Sequence, residues 1–333
     1  MNWGLIGAST IAAQHMIGAI RAQSGHDVTT VLSSSHERGA EYARQNQIGQ
    51  STSDLDVLLN DRDIDVVYIS TTNEKHFPQA MAAIKAGKHI VCEKPLAMTV
   101  ADAITMVNAA GSAGVVFATN HHLRNAGSHQ KIKQLIEAGK IGDVQSIRIF
   151  HAVYLPDNLQ GWRINDAAAG GGVIADIVVH DADTVRFHLD EDPSEVVAIE
   201  HSGAMGQGVE DSVMSVWTLP SGIMVQAHDS FTHAFAGNGI EVHGTKGSII
   251  ARNVMTQSPV GDIELRTQAG VENISFSDHN LYAKSMGLFV NAIVGNGRPS
   301  ADGVDGVKSL AVATAVKNAA LSGVRTAVDY GGI

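Results

Sequence analysis

The chain has 333 residues, long for one hydrophobic core, so two domains are expected. Hydrophobic residues at 44% and only 7 prolines exclude a mostly disordered chain, and a net charge of −11 without a Lys/Arg-rich run argues against a nucleic-acid partner. The single cysteine, Cys92, excludes an internal disulfide and a cysteine zinc cage.

Met1-Asn2 leads directly into an apolar strand with no basic leader, and no apolar run approaches the roughly 18–20 residues of a membrane span. A soluble cytoplasmic protein without a membrane partner is expected.

The first third alternates strands and helices. Strands are predicted at 3–8, 26–33, 65–70, 88–92 and 115–118, with helices at 10–22, 37–45, 76–86 and 100–110 between them. Five apolar strands in this pattern predict a parallel, doubly wound sheet, whose ligands bind at the carboxyl ends of the strands.

The first such loop, Gly7-Ala8-Ser9-Thr10-Ile11-Ala12, departs from the dinucleotide fingerprint G-x-G-x-x-G/A by having Ser9 at the second glycine. Ala12 still meets the packing demand of the third position, and Ser9 can add a hydroxyl donor beside a phosphate. At the end of the second strand NAD sites usually place a carboxylate for the ribose hydroxyls. Here the chain reads Ser33-Ser34-Ser35-His36-Glu37-Arg38. Hydroxyls and an arginine would bind a 2′-phosphate that an acidic residue would repel, so NADP(H) is expected, clasped by Ser33, Ser34 and Arg38. A polar loop with an N-capping serine fits the same residues. Thr71, Thr72 and Asn73 at the third strand's end suit backbone approach to a nicotinamide ribose, or an ordinary helix cap. After the fourth strand, Glu93-Lys94-Pro95 aims a lysine at the place where the nicotinamide would lie. Pro95 fixes the backbone there and a cis bond is open.

Past residue 118 long alternating strands take over, at 143–154, 195–202, 211–219 and 223–231, with a turn between short strands over 241–250 and helices at 127–138, 281–294 and 304–321. They suit one large, mainly antiparallel open sheet with helices on its other face. A division into residues 1–120 for the cofactor and 121–333 for substrate follows. Tyr282 either reaches towards the cofactor or packs.

Gly170-Gly171-Gly172 opens a stretch of helical periodicity. Ile174, Val178, Ala182, Val185 and Leu189 fall on one side and Asp176, His180 and Asp183 on the other, with Asp176 one turn before His180. Alone, this pattern describes a solvated amphipathic helix. Beside a cofactor site holding Lys94, its Asp176/His180 face is expected to be catalytic, its glycines to keep the approach to the nicotinamide open, and Asp183 to be a structural charge. The 16 histidines, among them His121, His122, His151 and His180, form no H-E-x-x-H pattern, and no metal is expected.

In order, the G-x-S-x-x-A turn, Glu93-Lys94-Pro95, Gly161-Trp162-Arg163, and Gly170-Gly171-Gly172 with Asp176 and His180 resemble the glucose-fructose oxidoreductase/inositol dehydrogenase/rhizopine-catabolism family. The likeness covers nearly the whole chain. It is most detailed to that family's NADPH-dependent sugar-ketone reductases, over residues 3–12, 71–74, 120–125, 151–163 and 254–257. The resemblance implies a Rossmann domain followed by an α/β domain with a large, mainly antiparallel sheet. It implies Lys94, Asp176 and His180 around a sugar substrate. It also implies that Ser9, Thr10, Ile11, Ala12, Ser33, Ser34, Arg38, the segment from Thr71 to His76 with Glu74, and Glu93, Asn120, Trp162 and Arg163 line the cofactor pocket. In the expected reduction His180, oriented by Asp176, gives the proton while Lys94 polarises the carbonyl; Lys94 as the acid is the alternative. An oxidative sugar or inositol dehydrogenase, and a non-catalytic NADP-binding regulator, are the competing readings.

Overall fold

Trp3, Leu5 and Ile6 lose all solvent contact in β1 (Asn2–Ile6), the strand on which the first sheet is centred. The computed structural model describes residues 1–333, which divide into one unit of residues 1–121 and 282–307 and another of 122–281 and 308–333.

In the first unit β2 (Asp27–Leu32), β3 (Gln50–Thr52), β4 (Ile64–Ile69), β5 (His89–Cys92) and β6 (Phe117–Thr119) join β1 in the order β3-β2-β1-β4-β5-β6. Every pairing is parallel. This is the doubly wound order in which a dinucleotide binds where the strand order reverses, here at β1 and β4. Burial on both faces explains why β4 and β5 read as apolar runs rather than as alternations. The sequence reading missed β3, a three-residue strand without an apolar side chain, and the short α3 (Leu55–Leu59) after it.

The other helices of this unit are α1 (Ile17–Arg21), which continues a π-helical turn over Ala12–Met16, α2 (His36–Gln45), α4 (Asn73–Lys85) and α5 (Val100–Ala113). Ser35 caps α2 by accepting the Arg38 N–H at 3.3 Å. Helix α4 starts three residues before the expected position, so Asn73, Glu74 and His76 stand in its opening turns rather than in a loop. Tyr282–Val307 belongs to this first unit, which a single cut at residue 120 does not allow. Phe289 packs on Trp3, with ring centroids 5.6 Å apart.

In the second unit β7 (Val144–Ala152), β8 (Glu195–His201), β9 (Ser212–Thr218), β10 (Met224–Ser230), β11 (Asn238–Gly244), β12 (Gly247–Arg252), β13 (Asp262–Thr267), β14 (Gly270–Asn273) and β15 (Thr326–Ala327) form the second sheet. Its order is β14-β13-β12-β11-β7-β10-β9-β8-β15, and β7–β10 is the parallel pair among antiparallel ones. The period-2 pattern turns Val213, Ser215 and Trp217 of β9 inward and leaves Met214 57% exposed on the outer face. On the inner face α6 (Gly127–Glu137), α8 (Val179–Leu189) and the later turns of α10 (Gly303–Ser322) cover the strands, and Val178, Val179, Ala182, Val185, Val312 and Val316 share one core with Trp217. Removing Trp217, whose Nε1–H bonds Ser215 Oγ at 2.8 Å, is expected to cost about 3–5 kcal/mol.

Two expectations for the stretch after Gly170 are corrected. A solvated charged face does not exist, because every residue from Ile177 to Val185 is buried. The stretch begins as a π-helical turn over Ile174–Val178 before α8, so the α-helical i,i+4 spacing does not describe Asp176 and His180. Gly171 and Gly172 are packed closely. A Cβ on Gly171 would lie 2.6 Å from the Trp162 carbonyl oxygen, and one on Gly172, at φ +112°, would lie 2.3 Å from Glu210 Oε1. They let this backbone pass against neighbours that cap the turn: Glu210 accepts the Ile174 N–H at 3.2 Å. No helix is long and apolar enough to cross a membrane.

Candidate active site and cofactor-binding residues

In the first unit the loops leaving β1, β2, β4 and β5 carry the candidate residues. Gly7, at φ +116°, brings the turn after β1 against Ser70 and Thr71, where a Cβ would sit 3.1 Å from the Ser70 backbone. The Ser9 hydroxyl accepts the Ala12 N–H at 3.2 Å and shares a 2.7 Å hydrogen bond with Ser70 Oγ, tying the turn after β1 to the end of β4. Thr10 and Ile11 lie between them, and Tyr42 of α2 donates its hydroxyl to the Ser9 carbonyl at 2.8 Å.

Arg38 bends back over this turn. Its Nη2 donates to the Ala8 carbonyl at 2.7 Å and its Nη1 reaches Ser34 Oγ at 3.5 Å. Ser35, not Ser33 or Ser34, caps α2. Ser33 is buried at the strand end, its hydroxyl without a hydrogen-bond partner. No carboxylate occupies the place where β2 ends.

The loop after β4 is engaged internally. Thr71 Oγ1 donates to Gln79 at 2.6 Å and Thr72 Oγ1 to Glu74 at 2.8 Å; Thr72 precedes α4 without capping it through its side chain. His76 is buried with Nδ1 2.8 Å from the Pro95 carbonyl and Nε2 3.2 Å from the Thr71 carbonyl. Burial pushes its imidazole below the usual range. It joins the loops after β4 and β5.

The bond between Lys94 and Pro95 is cis. The Glu93 carboxylate accepts from the Tyr68 hydroxyl and, at 2.6 Å, from Asn120 Nδ2. Burial and the Glu93 charge raise the Tyr68 phenol well above its usual range, which keeps it a donor. Asn120 is buried, and its amide oxygen has no hydrogen-bond partner. Tyr282 is buried too, stacked on His15 with centroids 4.7 Å apart, which favours its packing reading.

These residues fit a nicotinamide dinucleotide. Gly7, Ser9 and Ala12 would hold the pyrophosphate, Ser33, Ser34 and Arg38 the adenosine ribose end, and the Asn120 oxygen is an acceptor a carboxamide N–H would satisfy.

In the second unit α7 (Trp162–Asn165) presents Arg163 over the Trp162 ring at 4.7 Å, and Arg163 Nε lies 3.6 Å from Asp176 Oδ2. His180 is buried with His122 edge-on at 4.9 Å and His151 at 6.4 Å between centroids. Asp183 is the structural charge expected of it, since Arg124 binds its carboxylate through Nε at 3.0 Å and again through Nη2. Residue-by-residue reading passed over Asp181 and Asp229. His151 Nδ1 stands 3.4 Å from Asp181 Oδ1, and Asp229 faces the same carboxyl group. The readable signal was parity: Asp229 follows Val225 and Ala227 at the inward positions of β10.

Two family profiles match the chain. The oxidoreductase family with an NAD-binding Rossmann fold covers residues 1–121, and the GFO/IDH/MocA C-terminal domain covers 129–250. The 1,5-anhydro-D-fructose reductase of Ensifer adhaerens is 55% identical over 331 residues, 99% of each chain.

The chain belongs to the GFO/IDH/MocA oxidoreductase family.

Another relative, the levoglucosan dehydrogenase of Pseudarthrobacter phenanthrenivorans, is 32% identical over 64% of this chain and 62% of its own. Among solved structures, the aldose-aldose oxidoreductase of Caulobacter crescentus complexed with glycerol superposes with a TM-score of 0.90 at 24% identity, over 98% of this chain and 99% of that one. A levoglucosan dehydrogenase in complex with NADH and L-sorbose gives 0.89 at 23%, over 100% of both chains. At such identities these two structures establish the shared fold. As a family member the chain is an oxidoreductase with a nicotinamide-dinucleotide-binding Rossmann domain.

Proposed function

We propose that this oxidoreductase reduces a sugar ketone with NADPH, and that the substrate is 1,5-anhydro-D-fructose, reduced to 1,5-anhydro-D-mannitol. The observation that carries the coenzyme reading is Arg38, bound to the Ala8 carbonyl and beside Ser34, at a strand end without a carboxylate. An acidic residue there serves NAD; a guanidinium and hydroxyls serve the extra phosphate. The substrate reading is supported by the end-to-end 55% identity to the Ensifer reductase.

The bound coenzyme supplies a hydride to the carbonyl carbon. Charge then gathers on the carbonyl oxygen, and this chain's residues must stabilise and protonate it. Lys94, on the segment pinned by Glu93 and Asn120, polarises the carbonyl and holds the adjacent hydroxyl. His180 gives the proton, with the rings of His122 and His151 beside it, and Asp176, which lies near Arg163, is the residue assigned to orient it. Cytoplasmic location accords with an NADPH-consuming reaction.

The test is single-turnover hydride transfer from NADPH to 1,5-anhydro-D-fructose in His180→Ala and Lys94→Ala across pH. His180→Ala is expected to lose about 10²–10⁴-fold. Near-normal transfer in that variant would overturn the donor assignment, and equal rates with NADH would overturn the coenzyme reading.

A further inference from the structure

The chemistry around His180 continues deeper into the second unit. Asp181 follows His180 on α8, and Asp229 lies on β10 at the inward-facing position whose parallel-strand partner on β7 is His151. Both aspartates are without solvent exposure. No donor completes a hydrogen bond to any of their four carboxyl oxygens; His151 Nδ1 stands 3.4 Å from Asp181 Oδ1. Two ionised carboxylates cannot face each other out of water, whereas one proton between them gives each an acid–carboxylate hydrogen bond.

Resting on the reading of His180 as proton donor, we propose that Asp181 and Asp229 share a proton as a carboxyl pair and serve as positioning residues. Asp229 carries the proton and leaves the Asp181 carboxylate facing His151. The pair's single negative charge holds the Nδ1–H of His151 towards Asp181 and favours the protonated form of His151 and of its neighbour His180.

The titratable groups facing this arrangement are His151 from β7, His180 and Asp181 from α8, Asp229 from β10, His122, edge-on to His180, and His129 from α6, whose charge acts on His151. Of the other nearby charges, Arg124 is neutralised by Asp183, and Asp176 lies beside Arg163. Burial raises both carboxyls, Asp181 to about 7 and Asp229 well above its usual range, in keeping with a retained proton. The proton inventory closes without consuming it. In each reduction His180 passes its proton to the carbonyl oxygen, is left as neutral imidazole, and is recharged from solvent.

An asparagine at 229 imitates a protonated aspartate, because its amide N–H can donate to Asp181 while the pair keeps its charge. Replacing both residues removes the charge. The histidine titrations of the protein without cofactor or substrate are followed by NMR with ¹³C-labelled histidine, the His151 signal being assigned by its loss in His151→Gln. Asp229→Asn is expected to leave the His151 midpoint nearly unmoved. Asp181→Asn/Asp229→Asn is expected to lower it by about one pH unit and to draw the alkaline limb of kcat down with it. Equal midpoints in the two variants would overturn the proposal, as would the full fall in Asp229→Asn alone. Infrared spectra of the wild-type protein with ¹³C-labelled aspartate need no variant to fold: an isotope-shifted band of a protonated carboxyl at neutral pH is expected, and its absence would equally overturn the proposal. The His180→Ala rate tests the donor separately, since it reads proton delivery to the carbonyl and not the carboxyl band of the wild-type protein.

Discussion

Arg38 donates from Nη2 to the carbonyl of Ala8 at 2.7 Å, so a residue in the first turn of α2 closes over the turn that follows β1. The contact holds the guanidinium in place before any phosphate arrives, which reduces the side-chain ordering left for binding.

Arg38→Ala is therefore expected to raise the KM for NADPH about tenfold or more, the worth of one charge-assisted hydrogen bond, and to leave the KM for NADH nearly unchanged. Steady-state kinetics with both coenzymes check it. A parallel loss with NADH would mean that Arg38 only supports the loop.

Lys94 is expected to act in the transition state more than in binding. Lys94→Met should lower kcat about 10²–10³-fold while NADPH affinity, read by fluorescence titration, stays close to wild type. A variant that failed to bind NADPH would assign Lys94 to cofactor retention instead.

The Arg124–Asp183 pair is buried on both sides, 7% and 1% exposed. Removing one member strands the other charge, so Asp183→Asn or Arg124→Met is expected to destabilise the protein by about 3–5 kcal/mol. Urea unfolding midpoints measure this. A double variant, Arg124→Met with Asp183→Leu, should recover part of the loss.

Stability should carry two opposing pH signatures. Burial raises the Asp181–Asp229 pair, Asp181 to about 7, so between the unfolded value near 4 and that point the folded pair holds a shared proton that the unfolded chain has released. Its contribution falls as pH rises across this window, with a slope of about 1.4 kcal/mol per pH unit for one proton. His129 behaves oppositely. Burial lowers it to about 4, against the opposing hydrogen bond to the Val254 carbonyl, so its contribution is lost as pH falls from about 6.5 to about 4. Subtracting the unfolding free energies of Asp181→Asn and His129→Gln from wild type at each pH isolates the two slopes. Slopes of the same sign would show that one of the two assignments is wrong.

Gly172→Ala should prevent the turn into α8 from closing as it does, because the new methyl meets the Glu210 carboxylate at a backbone angle only glycine adopts easily. A loss of about 1–3 kcal/mol is expected, measured by thermal unfolding. An unchanged midpoint would mean that Glu210 moves aside freely.

The Rossmann half was readable because its strands are continuous apolar runs separated by helices, and only the polar edge strand β3 escaped. Helix α8 misled. Its His180 and Asp183 look like part of a wet face, yet both are buried and are met by groups distant in sequence: His122 and His151 for His180, Arg124 for Asp183. Helical periodicity registers polarity, and it cannot register a partner that arrives from another element. The π-helical turn before α8 was hidden for the same reason, since Glu210 holds its start from outside. The burial of His76 between two carbonyls was not legible either, because it depends on Pro95, 19 residues away.

The parallel pairing of β7 with β10 has a kinetic side. Hairpins such as β9–β10 can close through a short turn, but a parallel neighbour needs a crossover. Here that crossover spans everything between Ala152 and Met224, including α7, α8, β8 and β9. His151 and Asp229 come into register only when this long loop has closed, and loop-closure entropy makes such contacts late ones. The chain would then acquire its secondary structure before it acquires its acid–base chemistry. During refolding, recovery of the His151 titration should lag behind recovery of the far-ultraviolet circular dichroism.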